Sequence, residues 1–268
     1  MFRLGCQTNA WPVDPSRPET LFAALRAIKG LGFTGFETGF RNILPLAAEP
    51  ALFAKHTLDL TLFGVHIFLP EYDNSTLLAP ANLTLEVAKA AAALGAERLI
   101  LSGAPASAGG ELSFDFVQRK ASALNSLGRE TSRLGLSLAY HNHGPELTGL
   151  NPEIDVLLNE TDPDLLSLVL DAGHAFRSGI DLPPFLRRHA LRVAGIHLRD
   201  FHGAEQVPLG SGDFPLAPIA AVLDQQHWSG WLLAEEERSD GSKPAELAAT
   251  PAYAALVRTF GRSKAPNS

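Results

Sequence analysis

Four short apolar runs in this chain each end in residues that bind metals or move protons. The ends are Tyr140-His141-Asn142-His143, Asp171-Ala172-Gly173-His174, His197-Leu198-Arg199-Asp200 and Glu235-Glu236-Glu237. The first ligand-type residue of each falls at 141, 171, 197 and 235, one strand–helix unit apart. Imidazole and carboxylate are the donors of catalytic divalent-metal sites, which keep positions open for substrate. Turn residues and a helical stretch follow each run. Parallel strands closed into a barrel would point these four ends at one mouth, where barrel enzymes carry their chemistry.

Each signal has a plain structural alternative. His141 and His143 lie two apart on a strand and share a face, yet a histidine pair can simply hydrogen-bond in a loop. Asp171 can cap the segment that follows it, and His174 can start a helix. Arg199 and Asp200 read as a surface ion pair. Three adjacent glutamates usually form a solvated run, in which only Glu235, closing Trp231-Leu232-Leu233-Ala234, would face the mouth. Four such endings at successive strands favour a shared metal site over four unrelated accidents.

The elements that must position them are legible as well. Apolar segments at about 3–7, 33–37, 61–67, 97–102, 135–141, 167–171, 193–198 and 230–235 read as strands buried on both faces. Helical patterns run from Pro18 to Gly30, with Ser16 as cap and Gly30 as stop, and over 83–94, 114–134, 183–190, 218–226 and 245–260. Strand and helix alternating eight times predict an α/β chain forming a single (β/α)8 TIM barrel over residues 1–262. Residues 104–110 read as a mobile loop on the top face, and 263–268 as a disordered tail.

Composition narrows the function. The 268 residues suit one such barrel, and 46% hydrophobic with 19% charged residues suits one large core. No apolar run reaches the roughly 18 residues that span a bilayer, and the first residues lack a signal-peptide pattern. Cys6 is the only cysteine, so no intrachain disulfide forms. These features predict a cytoplasmic protein with no membrane partner. A net charge of −7 disfavours nucleic acid as the main partner.

Taken together, Gly35-Phe36-Glu37, Leu138-Ala139-Tyr140-His141-Asn142-His143, Leu170-Asp171-Ala172-Gly173-His174, Ile196-His197-Leu198-Arg199-Asp200, Leu209-Gly210-Ser211-Gly212-Asp213 and Trp231-Leu232-Leu233-Ala234-Glu235 make the chain resemble the xylose isomerase-like barrel superfamily. That superfamily contains sugar-phosphate isomerases and epimerases, keto-sugar 3-epimerases, inosose dehydratases and endonuclease IV. The resemblance implies one divalent metal held by His141, Asp171, His197 and Glu235, with His174 contacting substrate and Asp200 supporting the seventh-strand ligand. Glu37 and His66 would line the sugar pocket, with Asp200 counted among the substrate-binding residues. Two imidazoles and two carboxylates favour Mn or Zn, with Co, Fe or Mg as alternatives.

The expected reaction is isomerisation or epimerisation of a keto-sugar or polyol through an enediolate. Glu235 would act as base and His143 or Glu37 as partner acid. One departure weighs against a symmetrical two-glutamate epimerase: His141 stands where many family epimerases carry glutamate, as in the inosose dehydratase-like subset. A dehydratase or lyase is therefore the second reading. An endonuclease IV-like nuclease and a non-catalytic sugar-binding barrel are further ones. The expected partner is a small sugar or polyol, unphosphorylated for want of a basic cluster, with a homo-oligomer implied by the family.

Overall fold

Apolar runs flanked by turn residues can bury both faces only by lying side by side under a layer of helices. In the computed structural model, which describes residues 2–69, 71–108, 111–236 and 244–261, they do so. The strands are β1 (Arg3–Gln7), β2 (Gly35–Gly39), β3 (Thr61–Ile67), β4 (Arg98–Leu101), β5 (Ser137–His141), β6 (Leu166–Asp171), β7 (Val193–Leu198) and β8 (Trp231–Ala234). Each pairs in parallel with its neighbour in sequence, and β8 closes on β1. The expected barrel is present, with β2 two residues later than 33–37.

A helix follows every strand. Six match the sequence patterns: Pro18–Leu31, Ala81–Ala93, Phe114–Arg133, Leu182–His189, Leu216–Gln225 and Glu246–Phe260. The other two, Pro50–Thr57 and Glu153–Glu160, have eight residues each, too short for periodicity to stand out. The first helix is not capped by Ser16. Its start is tied by Thr20, whose Oγ1 accepts from the Asp14 N–H at 2.9 Å, and it ends at Gly32 (φ 105°), not Gly30. The 104–110 segment holds half of a small hairpin, Ser107–Ala108 against Glu111–Leu112. Residues 109 and 110 lie outside the described residues, as do Glu237 and the 263–268 tail.

Side chains on a strand alternate between the barrel interior and the helix layer. Phe63, Ile100, Ala139, Val169, Trp231 and Leu233 form a closed cluster inside the barrel, and the larger core lies between strands and helices. Two residues further along, the same interior face carries His141 after Ala139, Asp171 after Val169 and Glu235 after Leu233. His197 follows Gly195 in the same way, and Glu37 follows Gly35. Gly195 makes room for the floor: a Cβ there would lie 2.5 Å from Phe63 Cζ. A dry apolar layer thus supports a polar one.

Cys6 faces the helix layer and is fully buried; burial first, then Glu236 and Glu235, push its thiol far up from its usual value. Thiolate is the reactive form, so native protein is expected to resist iodoacetamide at pH 8 and to take up one label only on unfolding. Mass spectrometry with and without urea checks this. Rapid labelling of native protein would contradict the burial. Among the described residues no helix is long and apolar enough to cross a membrane.

Candidate metal centre and its cavity

At the C-terminal ends of β5, β6 and β7 the ligand atoms of His141, Asp171 and His197 all lie within 4.8 Å of one another, and all three residues are buried. Local sequence explains how they are held. Asp171 caps the short helix Ala172–Arg177, its Oδ1 accepting from the His174 N–H at 2.7 Å. Asn142 stitches β5 to β6: its Oδ1 accepts from the Asp171 N–H at 3.0 Å and its Nδ2 donates to the Asp171 carbonyl at 3.3 Å. The asparagine between the two histidines therefore fixes Asp171 relative to His141.

His197 sits between two carboxylates. Its Nε2 is 2.7 Å from Glu37 Oε2, and its Nδ1 is 2.8 Å from Glu235 Oε2. Burial opposes the imidazolium, but Glu37 and Glu235 overcome it and raise its pKa well above the usual value. Glu37 is fully buried, and its Oε1 accepts from Gln7 Nε2. Its other oxygen thus faces His197, and Oε1 lies 3.8 Å from Nδ1 of His66, which lines the cavity.

Glu235 stands beside the triad, not within it. Arg199 Nη2 bridges Glu235 Oε1 at 2.8 Å and Asp171 Oδ2 at 2.7 Å. This corrects the surface-pair reading of Arg199, which is buried at 4% exposure. Its stem fits because residue 173 is glycine; a Cβ there would meet Arg199 Cδ at 2.8 Å. Burial raises the Glu235 pKa, yet Arg199 and then His197 outweigh it and hold the carboxyl well below the usual range. Burial lifts Asp171 and Glu37 above it, despite Arg199 and His197 respectively.

Among the described residues three carboxylates face one guanidinium and one imidazolium, a negative surplus that a divalent cation would offset. Buried atoms without a hydrogen-bond partner also gather here: His141 Nδ1, His197 Nδ1 and Glu235 Oε2. The last two face each other off the direction a hydrogen bond needs. A borderline donor set with unpartnered atoms fits a divalent ion, which would take the place of the His197 proton on binding, and a carboxylate behind the second nitrogen of a histidine is how such ligands are oriented.

Above the triad lies a cavity of about 330 Å³, lined in part by His66, His141, His143, His174, Arg199 and Glu235. His143 and His174 are half-buried at its mouth, their rings 5.3 Å apart. His66 meets Ser102 Oγ at 2.9 Å, and burial, then His197, lowers its pKa to about 3. Phe40, Phe68, Asn9 and Arg41 also line it and carried no sequence signal.

Asp200 is placed elsewhere. Both its oxygens accept backbone N–H groups, from Phe201 and Phe214 on Oδ1 (2.8 and 2.9 Å) and from Gly210 and Gly212 on Oδ2 (2.8 and 2.9 Å). It therefore ties down the Leu209-Gly210-Ser211-Gly212-Asp213 loop, with both oxygens engaged there. Glu236, expected in a solvated run, is buried, and its Oε1 accepts from the Leu209 N–H at 3.2 Å.

A family model described as xylose isomerase-like TIM barrel matches residues 25–257. Among curated relatives, an inosose dehydratase of Clostridium perfringens is 34% identical over 149 residues, 48% of this chain and 50% of that protein. One of Clostridium tetani is 31% identical over 166 residues, 54% and 53% of the two chains. The chain thus spans about half the length of the curated relatives it matches. Among solved structures, an L-ribulose 3-epimerase superposes with a TM-score of 0.80 at 18% identity, covering 97% of this chain and 95% of that one. The 3-keto-D-glucoside 4-epimerase of E. coli gives 0.73 at 17%, covering 97% and 100%.

Proposed function

The chain belongs to the xylose isomerase-like TIM barrel family, and from that premise we propose that it is a divalent-metal-dependent enzyme acting on a keto-sugar or keto-polyol. Its first step is removal of the proton next to the carbonyl, giving an enediolate. His141, Asp171 and His197 would hold the ion, with Glu235 as fourth ligand once released from Arg199. A bound divalent cation supplies Lewis acidity to two neighbouring substrate oxygens.

Glu235 takes the α-proton. It lines the cavity, and release from Arg199, which holds its carboxyl well below the usual range, would raise its proton affinity for this step. Arg199, beside it, offers positive charge to the oxygen that gains it. His143 and His174 at the mouth orient hydroxyls, and His143 is placed to return a proton. Burial, then His174, lowers the His143 pKa, so an imidazolium formed there gives up its proton readily.

The reading this geometry supports best is elimination of a β-hydroxyl, which takes a proton from His143 and leaves as water, a dehydration. The observation that carries it is His141: a second carboxylate base opposite Glu235 is missing from β5, and an imidazole committed to a metal has no lone pair for the job. The names of the sequence relatives support the same branch. Epimerisation or isomerisation is the second reading, favoured by His143, which can reprotonate the enediolate from the mouth.

The test is product mass after incubating Mn-loaded protein in heavy water with ketoses, 3-keto-sugars and inososes. Loss of water is the expected outcome. A gain of about one mass unit without loss means reprotonation of the enediolate and selects the second reading. Glu235→Gln is expected to lower turnover by roughly 10²–10⁴-fold; unchanged turnover would remove Glu235 as the base.

A further inference from the structure

The opposite end of the barrel carries a second cavity, of about 640 Å³, which the chemistry above does not use. Four arginines converge on it: Arg3 and Arg98, the first residues of β1 and β4, and Arg187 and Arg188 from the last turn of helix Leu182–His189. Two of them are pinned flat. Arg3 Cζ lies 4.6 Å from the Trp231 ring, and Arg98 Cζ lies 4.6 Å from the Phe63 ring. These rings belong to the buried apolar cluster inside the barrel, so the guanidinium groups pack against its floor.

The acids nearby do not balance them. Glu97 meets Arg3 at 2.8 Å and Arg98 only at 3.5 Å. Asp155 meets Arg188 at 2.9 Å but also serves His189. Among the described residues the Arg187 side chain enters no ion pair. Arg98 Nε is buried without an acceptor, the kind of orphaned donor that calls for an explanation. Four cations thus meet two anions in a chain whose net charge is −7. Compensation of the helix dipole accounts for Arg187 and Arg188. It does not account for Arg98, or for the convergence of all four on one concavity.

We infer that this cavity binds a small multivalent oxyanion, a phosphate ester or a polycarboxylate. Guanidinium forks match the oxygens of both groups, and the volume suits a metabolite. Leu191, wholly exposed, and Trp228 supply an apolar wall for its carbon skeleton. The N-terminal face of such barrels governs stability and not catalysis. The ligand therefore acts on stability or control, and the inference stands whether or not the proposed reaction does.

Calorimetric titration of the metal-free full chain with inorganic phosphate, pyrophosphate and citrate at constant ionic strength tests it. The expected result is saturable one-to-one binding of pyrophosphate or citrate. Arg187→Ala, at an exposed position, and Arg98→Met should each weaken it roughly tenfold or more, about 1.4 kcal/mol per decade. Arg26→Ala, on the remote face of the first helix, should not change it. Pyrophosphate binding in preference to citrate identifies a phosphate ester as the class, and the reverse a polycarboxylate. No saturable binding of any probe at millimolar concentration overturns the inference. So does binding that survives Arg187→Ala and Arg98→Met, or that is lost instead in Arg41→Ala at the other mouth.

Discussion

Asp171→Asn is expected to release the metal while leaving the fold in place, with affinity for Mn or Zn falling by roughly 100-fold or more. Loss of a mere supporting partner already costs 10–100-fold, and Asp171 stands in the ligand triad itself. The substitution separates two roles of one side chain. As a helix cap, Asp171 accepts from the His174 N–H at 2.7 Å, and asparagine caps as well as aspartate does. The two bonds from Asn142 run to the backbone of residue 171 and survive unchanged. Only the negative charge goes, and with it the attraction for a cation and one contact of Arg199, which keeps its 2.8 Å contact to Glu235. Calorimetric titration of Mn into metal-free wild type and variant, with melting temperature as the control, reads this directly. A variant that binds Mn as tightly as wild type removes Asp171 from the site; one that melts early shows a structural role instead.

The barrel and the grouping of His141, Asp171 and His197 at its mouth were legible for the same reason. A strand buried on both faces has to be apolar throughout, so a metal ligand at its end stands out against the run before it. His141, Asp171 and His197 each interrupt such a run, and eight repeats of strand and helix leave little choice of topology. Arg199 was hidden by its neighbour. An Arg-Asp dipeptide suggests a surface pair, whereas strand alternation from His197 puts residue 199 on the interior face and Asp200 on the other. That alternation was in the sequence, outweighed by the local charge pattern. The role of Asp200 was not there to read, because its donors come from 1 to 14 residues downstream in a loop that folds back upon it. Glu37 shows the same limit: alternation puts it inside the barrel, but its partner on β7, His197, could not be read from its own segment.

Lys120→Met is expected to cost about 3–5 kcal/mol, the penalty of removing one partner from a buried ion pair, out of a total stability of about 5–15 kcal/mol. In sequence, Lys120 is an unremarked basic residue within a 20-residue helix; in the fold it is wholly buried. Its ammonium has three hydrogens and three acceptors: the Ala104 carbonyl at 2.8 Å, Glu153 Oε1 at 2.6 Å and Glu146 Oε1 at 3.2 Å. Each carboxylate then reaches a loop at the barrel mouth. Glu153 Oε2 accepts from the Ala106 N–H at 2.6 Å, and Glu146 Oε2 from the His143 N–H at 2.7 Å. Tyr140, on the face of β5 opposite His141, donates its hydroxyl to Glu146. Methionine fills the volume of the lysine stem but leaves two carboxylates facing each other without a cation. The urea midpoint should fall accordingly. Lys120→Met combined with Glu146→Gln and Glu153→Gln should recover part of the loss, because the uncompensated charge rather than the missing volume is the main cost. If the single variant is as stable as wild type, the cluster carries no net stabilisation. If the triple variant is worse than the single, the hydrogen bonds to Ala106 and His143, and not the charges, are what hold the mouth of the barrel together.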